Sequence, residues 1–526
     1  MDDNASVQRN DKIGYPSRRR FLTDAMTAIA AGAWLNTAAT FAADTPATKT
    51  SLWIGAASAD ITPPLPVALT GFQTVRLTNK IESPLTANVL ALESRDGDRV
   101  IDQAILVSCD LCVLRPGIQE QFCTHVAERL PGFDIRKLFL AATHTHSSPV
   151  LLQDEYDERS YGDAMQPKDY VPFLCQRMAE AVANAWKNRA PGAVARGLGH
   201  AVVGHNRRLV YADGHAAMLS DPNDPAFRNI EGYEDHGVDI LCFYDEKEQI
   251  KATALAVACP AQMSQGDTVV SADFWHTTRE LLRERYGKEL CVLGFCAPAG
   301  DQCPHLSYRR KGEARMDRLR GLTRTQELGR RVANAFFDAA DLLAKDTRTD
   351  VPLRHVVQQV DLPTKIVTDA EYAIAKKVCD DIDAKNEREG WDTWVRKLYG
   401  RICERCEAQR KGQRTFPIKM HVLRLGDVAI ATNPFELFGD YGVRIEARSK
   451  AEQTFLIQLA TSPPDYAGYL PTERAVAAGE LTAAPMNNYS ATVMSNTVGP
   501  EGGQVLVDRT VEMINAMWPE SKAANR

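Results

Sequence analysis

The chain has 526 residues, enough for one large domain or several, and with 44% hydrophobic and 25% charged residues it reads as a globular protein, not a disordered or fibrous one. Its net charge of −6 is made of both signs interspersed, which excludes the clustered basic surface needed for nucleic-acid binding. No internal repeat of solenoid or propeller period is present.

In chain order, residues 1–16 are polar and are followed by the basic Ser17–Leu22 stretch, SRRRFL, and then by an apolar run ending in the small residues Ala42 and Ala43. A basic n-region, a short apolar segment and a small-residue cleavage site are the marks of a secretory signal peptide, and the paired arginines are of the twin-arginine type. The chain is therefore expected to be exported, to the periplasm or the medium, with residues 1–43 as the leader. The apolar run is too short and too rich in Ala, Gly and Thr for a membrane span of about 20 residues.

Past the leader, the segment up to Asp60 reads as a strand stopped by Pro63 and Pro64, and Arg99–Leu114 as a buried strand. A helix is expected over Gln119–Leu130, a strand over Leu138–Ala142 and a helix over Lys168–Arg189. A hairpin turning at Asp245–Glu248 leads to a helix over Phe274–Tyr286 and a buried strand from Leu290 into a Pro-Ala-Gly-Asp turn. A long helix over Thr325–Lys345 precedes a highly charged helical hairpin at about 369–411, read as a surface insertion. A second hairpin turns at Gly426–Asp427, then come a helix over Phe435–Lys450, a strand from Thr454 and a closing helix over Gly503–Trp518. Hairpins and crossover units alternate throughout. The expected fold is therefore α/β (α+β), with mixed β-sheets flanked by helices in a single large catalytic domain, residues 44–526.

Twelve cysteines are present. Export permits disulfides, but several cysteines sit in apolar strands, where the residue serves as a small hydrophobe. Neither CxxC pair, Cys109/Cys112 or Cys403/Cys406, has a second CxxC at zinc-ribbon spacing.

The end of the fourth of these elements carries the most chemistry. In LFLAATHTHSSPV, Leu138–Val150, two imidazoles stand one residue apart at the end of an apolar strand. In extended chain such residues share a face, which suits a metal ligand beside a base, and equally two histidines hydrogen-bonded in a loop. Three more polar clusters follow strands: Asp60, Gly300–His305 and Asn433–Glu436. Sites in open α/β sheets gather outside the carboxyl ends of strands, and a carboxylate with one or two histidines is a normal zinc set.

The motifs ASADITPP, VSCDL, ATHTHSSP, HNRR, APAGDQCP, NPFE and DYAGYLPT, in that order, resemble the N-terminal catalytic domain of the neutral/alkaline (non-lysosomal) ceramidase family from about Ile54 to Met517. The resemblance implies a zinc-dependent enzyme cleaving the amide of N-acylsphingosine, with zinc as cofactor and a small-molecule or lipid substrate. It implies His144, Glu436 and Tyr469 at the metal, His146 as catalytic base, and Arg207 and Asp60 as further catalytic residues, with Asp60 or Asp301 orienting an imidazole. It also implies contact with a membrane surface to reach a lipid. Three features depart from the family. A further ligand histidine is expected where this chain has AVACPAQMS around Pro260, leaving His276, His305, His146, Gln262 and Cys259 as stand-ins. Proline-phenylalanine-glutamate replaces Pro-Gly-Glu, and the family's immunoglobulin-like C-terminal domain has no counterpart here. The implied activity is thus that of a metal-dependent amidohydrolase. The alternatives are hydrolysis of an ester or glycoconjugate bond, or a non-catalytic lipid- or glycan-binding role. The sequence assigns no oligomeric state.

Overall fold

Long apolar runs without polar alternation belong to strands covered on both faces, and the three main sheets are built from such runs. In the computed structural model, which describes residues 50–518 except 219, 485 and 487, the first sheet runs Leu138–Ala142, Arg99–Cys109, Thr86–Asp96, Ser51–Asp60 and the short Ala190–Pro191. The second runs Cys291–Cys296, Ile250–Val257, Gly237–Tyr244, Ala193–His200, and the third Leu353–Pro363, Thr415–Leu425, Val428–Thr432, Gln453–Ile457. Each is an antiparallel meander with one parallel pair: Arg99–Cys109 with Leu138–Ala142, Ile250–Val257 with Cys291–Cys296, and Val428–Thr432 with Gln453–Ile457. A parallel pair needs a crossover, here the helices Ile118–Arg129, Phe274–Tyr286 and Gly439–Glu446. The leader falls outside the described residues.

Strand periodicity of two divides the apolar residues between two layers. Leu106, Phe139, Phe243, Phe295, Leu425 and Phe455 face one central core shared by all three sheets. Their neighbours Val107, Val292 and Val422 face outward into three separate layers covered by helices. Truncating a central phenylalanine to alanine at such a site costs about 3–5 kcal/mol.

The sequence-based boundaries of Leu138–Ala142 and Phe274–Tyr286 match the structure. Other elements differ. The strand expected over Arg99–Leu114 ends at Cys109. The helix expected from Phe435 begins only at Gly439, because Glu436–Leu437 pairs in parallel with Tyr469–Leu470. Ala193–His200 gave no strand signal, since Gly197 and Gly199 lack the bulk that marks one. Those glycines are needed there: a Cβ on Gly197 would meet Leu343 at 2.6 Å, and one on Gly199 the carbonyl of Ala335 at 2.8 Å, so the helix Arg324–Leu343 lies directly on the strand. That helix starts at a capping box, with the Gln326 N–H donating to Thr323 Oγ1 at 3.2 Å and the Thr323 N–H to Gln326 Oε1 at 2.9 Å.

The second and third sheets are joined by Gln453, whose amide donates to Asp239 Oδ1 at 2.7 Å and to the Gly197 carbonyl at 2.8 Å. Burial, aided by Asp235, pushes the Asp239 carboxyl up from 3.8 to about 7. A raised folded pKa means that the protonated form is favoured by folding. The contribution is complete below about pH 4 and is lost as pH rises through 7. Asp239→Asn keeps the acceptor and removes the charge. It should leave stability unchanged at or below about pH 4 and raise it progressively as the pH climbs to 8. Thermal unfolding of both proteins across this range checks it, and equal slopes would contradict the assignment.

Candidate active site

His144, Gln262 and Glu436, which follow strands of the first, second and third sheets, come together at one site. The strand Leu138–Ala142 ends as the Thr143 N–H donates to the Cys109 carbonyl at 2.9 Å. His144 then takes a left-handed backbone conformation, φ 65°. The two histidines are therefore not the same-face pair of an extended strand. The kink at His144 brings them together instead, with ring centroids 4.7 Å apart and nearly perpendicular, and Nε2 atoms 3.4 Å apart.

His144 Nδ1–H donates to the Cys112 carbonyl at 2.6 Å, which fixes the tautomer and turns Nε2 toward Glu436 Oε2, 3.2 Å away. Glu436 sits in the short bridge whose register places it beside Tyr469. Burial would lower the His144 pKa, but the Glu436 carboxylate outweighs it and pushes the imidazole up to about 10. Glu436 is held below its ordinary value, since His144 and Arg207 overcome its burial. Burial and then His144 push His146 well below its ordinary value, and burial with Glu436 raises Tyr469.

Arg207 is 3% exposed. Its Nη2 donates to the Gly300 carbonyl at 2.9 Å and to the Tyr469 hydroxyl at 3.2 Å, and lies 3.9 Å from Glu436. Arg208, beside it, points the other way into a buried pair with Glu231 at 2.6 Å and is structural, not a solvated strand end. Gln262 donates its amide N–H to His146 Nε2 at 2.7 Å. It is thus the side chain from the Pro260 region that reaches the pair. His276 and His305 do not line the cavity, and the Cys259 thiol donates to the Val203 carbonyl at 3.4 Å.

Asp60 is not part of this group. It is exposed at the end of its strand and its Oδ1 accepts from the Thr62 N–H at 2.8 Å, the turn-capping role that a short acid before Pro63 fulfils. Asp301 accepts from Asn206 at 2.8 Å and from the Gly439 N–H at 2.9 Å, and so orients no imidazole. Two further residues stand at the site: Gln262, expected only as one of several stand-in ligands, and Cys112. Gln262 carries no signal beyond its place beside Pro260. Cys112 was half of a CxxC pair, and its thiol stands with His144 and His146 in a group whose ligand atoms lie within 4.8 Å of one another. All twelve cysteines are free thiols.

The group closes a cavity of about 220 Å³ whose wall includes Phe72, Tyr156, Trp394, Leu398, Tyr466 and Tyr489. Trp394 and Leu398 come from Gly390–Arg410, so the charged helical hairpin is a wall of the cavity and not only a surface insertion. Gly71 packs against the His146 ring, where a Cβ would lie 2.6 Å from Cγ.

The donor set suits a cation. A buried carboxylate, a phenol oxygen and an imidazole lone pair face one point, and the carboxylate–imidazole contact requires a shared positive charge, from a proton or a metal ion. His144 Nε2, Glu436 and Tyr469 are the residues that could hold one, with Cys112, His146 and Gln262 in reach.

Three helix-covered mixed sheets around one core, with a His–Glu group at their common edge, define an α/β domain with one polar site. The chain is similar in structure to neutral ceramidase from Pseudomonas aeruginosa, with 17% identity and a TM-score of 0.62 over 90% of this chain and 76% of that one. It is similar also to a ceramidase complexed with C2, with 16% identity and a TM-score of 0.64 over 90% and 77%. At these identities the likeness is one of fold. No family model and no curated protein matches the chain.

Proposed function

We propose that this protein is an exported, zinc-dependent hydrolase that cleaves the amide of an N-acyl lipid or a related N-acyl compound. The observation that carries the reading is the 3.2 Å approach of His144 Nε2 to Glu436 Oε2 at the floor of a cavity with an aromatic wall. His144, Glu436 and Tyr469 would hold a zinc ion, which when bound would supply Lewis acidity toward the scissile carbonyl and lower the pKa of water to about 7. The remaining steps belong to the chain. His146 Nε2 would exchange its bond from Gln262 for one from the attacking water, accept that water's proton and return one to the leaving amine. Gln262 holds the His146 ring in place. Arg207, already committed to Gly300 and Tyr469, is a fixed positive donor for the oxygen that gains charge in the transition state. Aromatic side chains such as Phe72 and Tyr156 receive the acyl chain, and a lipid substrate would be drawn from a membrane surface. Among the described residues no helix is long and apolar enough to cross a membrane.

One observation favours a second bond type. Gln262 is the side chain that reaches the site from the Pro260 region, where the resemblance leads to a histidine, which leaves a single imidazole nitrogen, that of His144, among the three proposed ligands. A weaker metal site would suit an ester, whose leaving group needs less help from protonation than an amine. Elemental analysis of the purified protein, paired with hydrolysis of short- and long-chain N-acylsphingosines and of matched esters, tests the reading. Stoichiometric zinc with amide turnover is expected. Turnover of esters alone would move the assignment to the second bond, and protein without bound metal or turnover would point to the binding role.

A further inference from the structure

A second cleft of about 440 Å³ shares Arg115, Leu152, Lys397, Arg401 and Tyr466 with the cavity over His144 and Glu436. This second cleft is rich in cations, and nearly all of them have a carboxylate of their own. Arg115 binds Glu155 through two bonds of 2.6 and 3.1 Å. Lys397 lies 3.2 Å from Asp154, and Arg388 and Arg396 each lie 3.0 Å from Asp383. Arg401 is the exception. Among the described residues no carboxylate comes within 4 Å of its guanidinium, although Glu404 and Asp465 line the same cleft. Its one close partner is the Tyr466 ring, with the guanidinium carbon 4.4 Å from the centroid.

Position adds to this. Tyr466 lines the first cavity as well, and after burial the charge of Glu436 is the largest influence on its hydroxyl. Arg401 therefore stands one aromatic ring beyond the Glu436–Tyr469 pair, half-buried, with five N–H donors and, among the described residues, no ion pair within 4 Å; Asp154, whose carboxylate feels its charge, is already paired with Lys397. A planar guanidinium held flat on a ring presents its edge donors to a carboxylate, sulfonate or phosphate.

We propose that Arg401 is a specificity-determining residue that binds an anionic group on the substrate, several bonds from the scissile amide, so that the preferred substrates are acidic N-acyl conjugates and not neutral ones. This rests on the amide-hydrolase reading for what the first cavity accepts. The acid is recognised by charge, so carboxylates and sulfonates are both admitted. Lys397 and Arg115, already paired, contribute field but not the primary contact.

The test uses three N-acyl amides with the same twelve-carbon chain: N-lauroyltaurine, N-lauroyl-γ-aminobutyrate and the neutral N-lauroylethanolamine. Equilibrium binding to the full protein is measured by calorimetry, alongside turnover. In the natural protein both anionic amides should bind about tenfold more tightly than the neutral one, and added salt should shrink the gap. Arg401→Gln should bring the ratio close to one. Arg401→Lys, which keeps the charge, should retain most of the preference and thereby separates loss of recognition from loss of fold. Equal affinity for all three in the natural protein, absence of binding by any of them, or a preference that survives in Arg401→Gln would overturn the proposal. Binding preference without hydrolysis of any amide would leave this proposal standing and remove the hydrolase reading. Hydrolysis without preference would do the reverse.

Discussion

His144→Ala protein should purify without a stoichiometric metal ion, whereas His146→Ala protein should keep its metal and lose turnover. The two imidazoles are 3.4 Å apart, yet they are held differently. His144 is locked by its Nδ1–H bond to Cys112 and faces Glu436, so removing it deletes a nitrogen donor outright. His146 is held by Gln262 and faces the cavity, where a base belongs. Loss of a general base lowers kcat by about 10²–10⁴-fold. His144→Ala also leaves Glu436 buried, with Arg207 at 3.9 Å as its nearest cation, so the variant should be destabilised as well. Adding Glu436→Gln to it should restore stability without restoring metal, which separates lost affinity from lost fold. The measurements are metal content and turnover for each variant side by side. If both single variants keep full metal and the natural rate, the ThrHisThrHis segment is a structural strand end.

Arg279→Met should be among the most destabilising single substitutions in the chain. Asp110 is fully buried and its two oxygens accept from Arg279 at 2.7 and 3.0 Å. The same carboxylate accepts from the Thr86 N–H at 2.8 Å, from Thr86 Oγ1 at 3.0 Å and from Thr143 Oγ1 at 3.3 Å. One side chain thus ties two strands of the first sheet, the helix Phe274–Tyr286 and the residue before His144. Breaking a buried pair from one side costs about 3–5 kcal/mol, because the remaining charge has no partner. For a chain of this size that is a fall in unfolding temperature of roughly 3–5 °C. Asp110→Asn together with Arg279→Met should recover part of it, since the stranded charge is gone. Unfolding within a degree of the natural protein for Arg279→Met would refute the role given to the pair. The loosened Thr143 should also weaken metal retention.

Local signals account for what could be read in advance. Leu138–Ala142 is a five-residue apolar run closed by polar residues, and Phe274–Tyr286 lies between the capping Asp273 and Gly287, so both were legible to the residue. Glu436 and Tyr469 were legible only through their motifs, because nothing local tells that a bridge pairs them or that Glu436 meets a histidine 292 positions earlier. Gln262 was in view only as one of several stand-ins near Pro260: an amide in a loop has no pattern, and its role is defined by what it touches. Asp60 failed in the opposite way. A carboxylate before Ile-Thr-Pro-Pro is a turn cap by its spacing alone, and the motif outweighed that simpler reading. Asp110 was in view within VSCDL, but its partner lies 169 residues away.

The helical hairpin over the cavity has consequences for how such proteins diverge. Its two helices, Asp369–Asp383 and Gly390–Arg410, pack through Ala375, Ile382, Val395, Leu398 and Ile402 into a hydrophobic cluster of their own. The strands that lead to His144, Gln262 and Glu436 are anchored in other clusters. Mutation can therefore rewrite the wall without disturbing the floor. Across descendants of one ancestor, the compounds admitted can drift quickly while the reacting group stays fixed, so identity counted over the full length understates how closely two such floors are related.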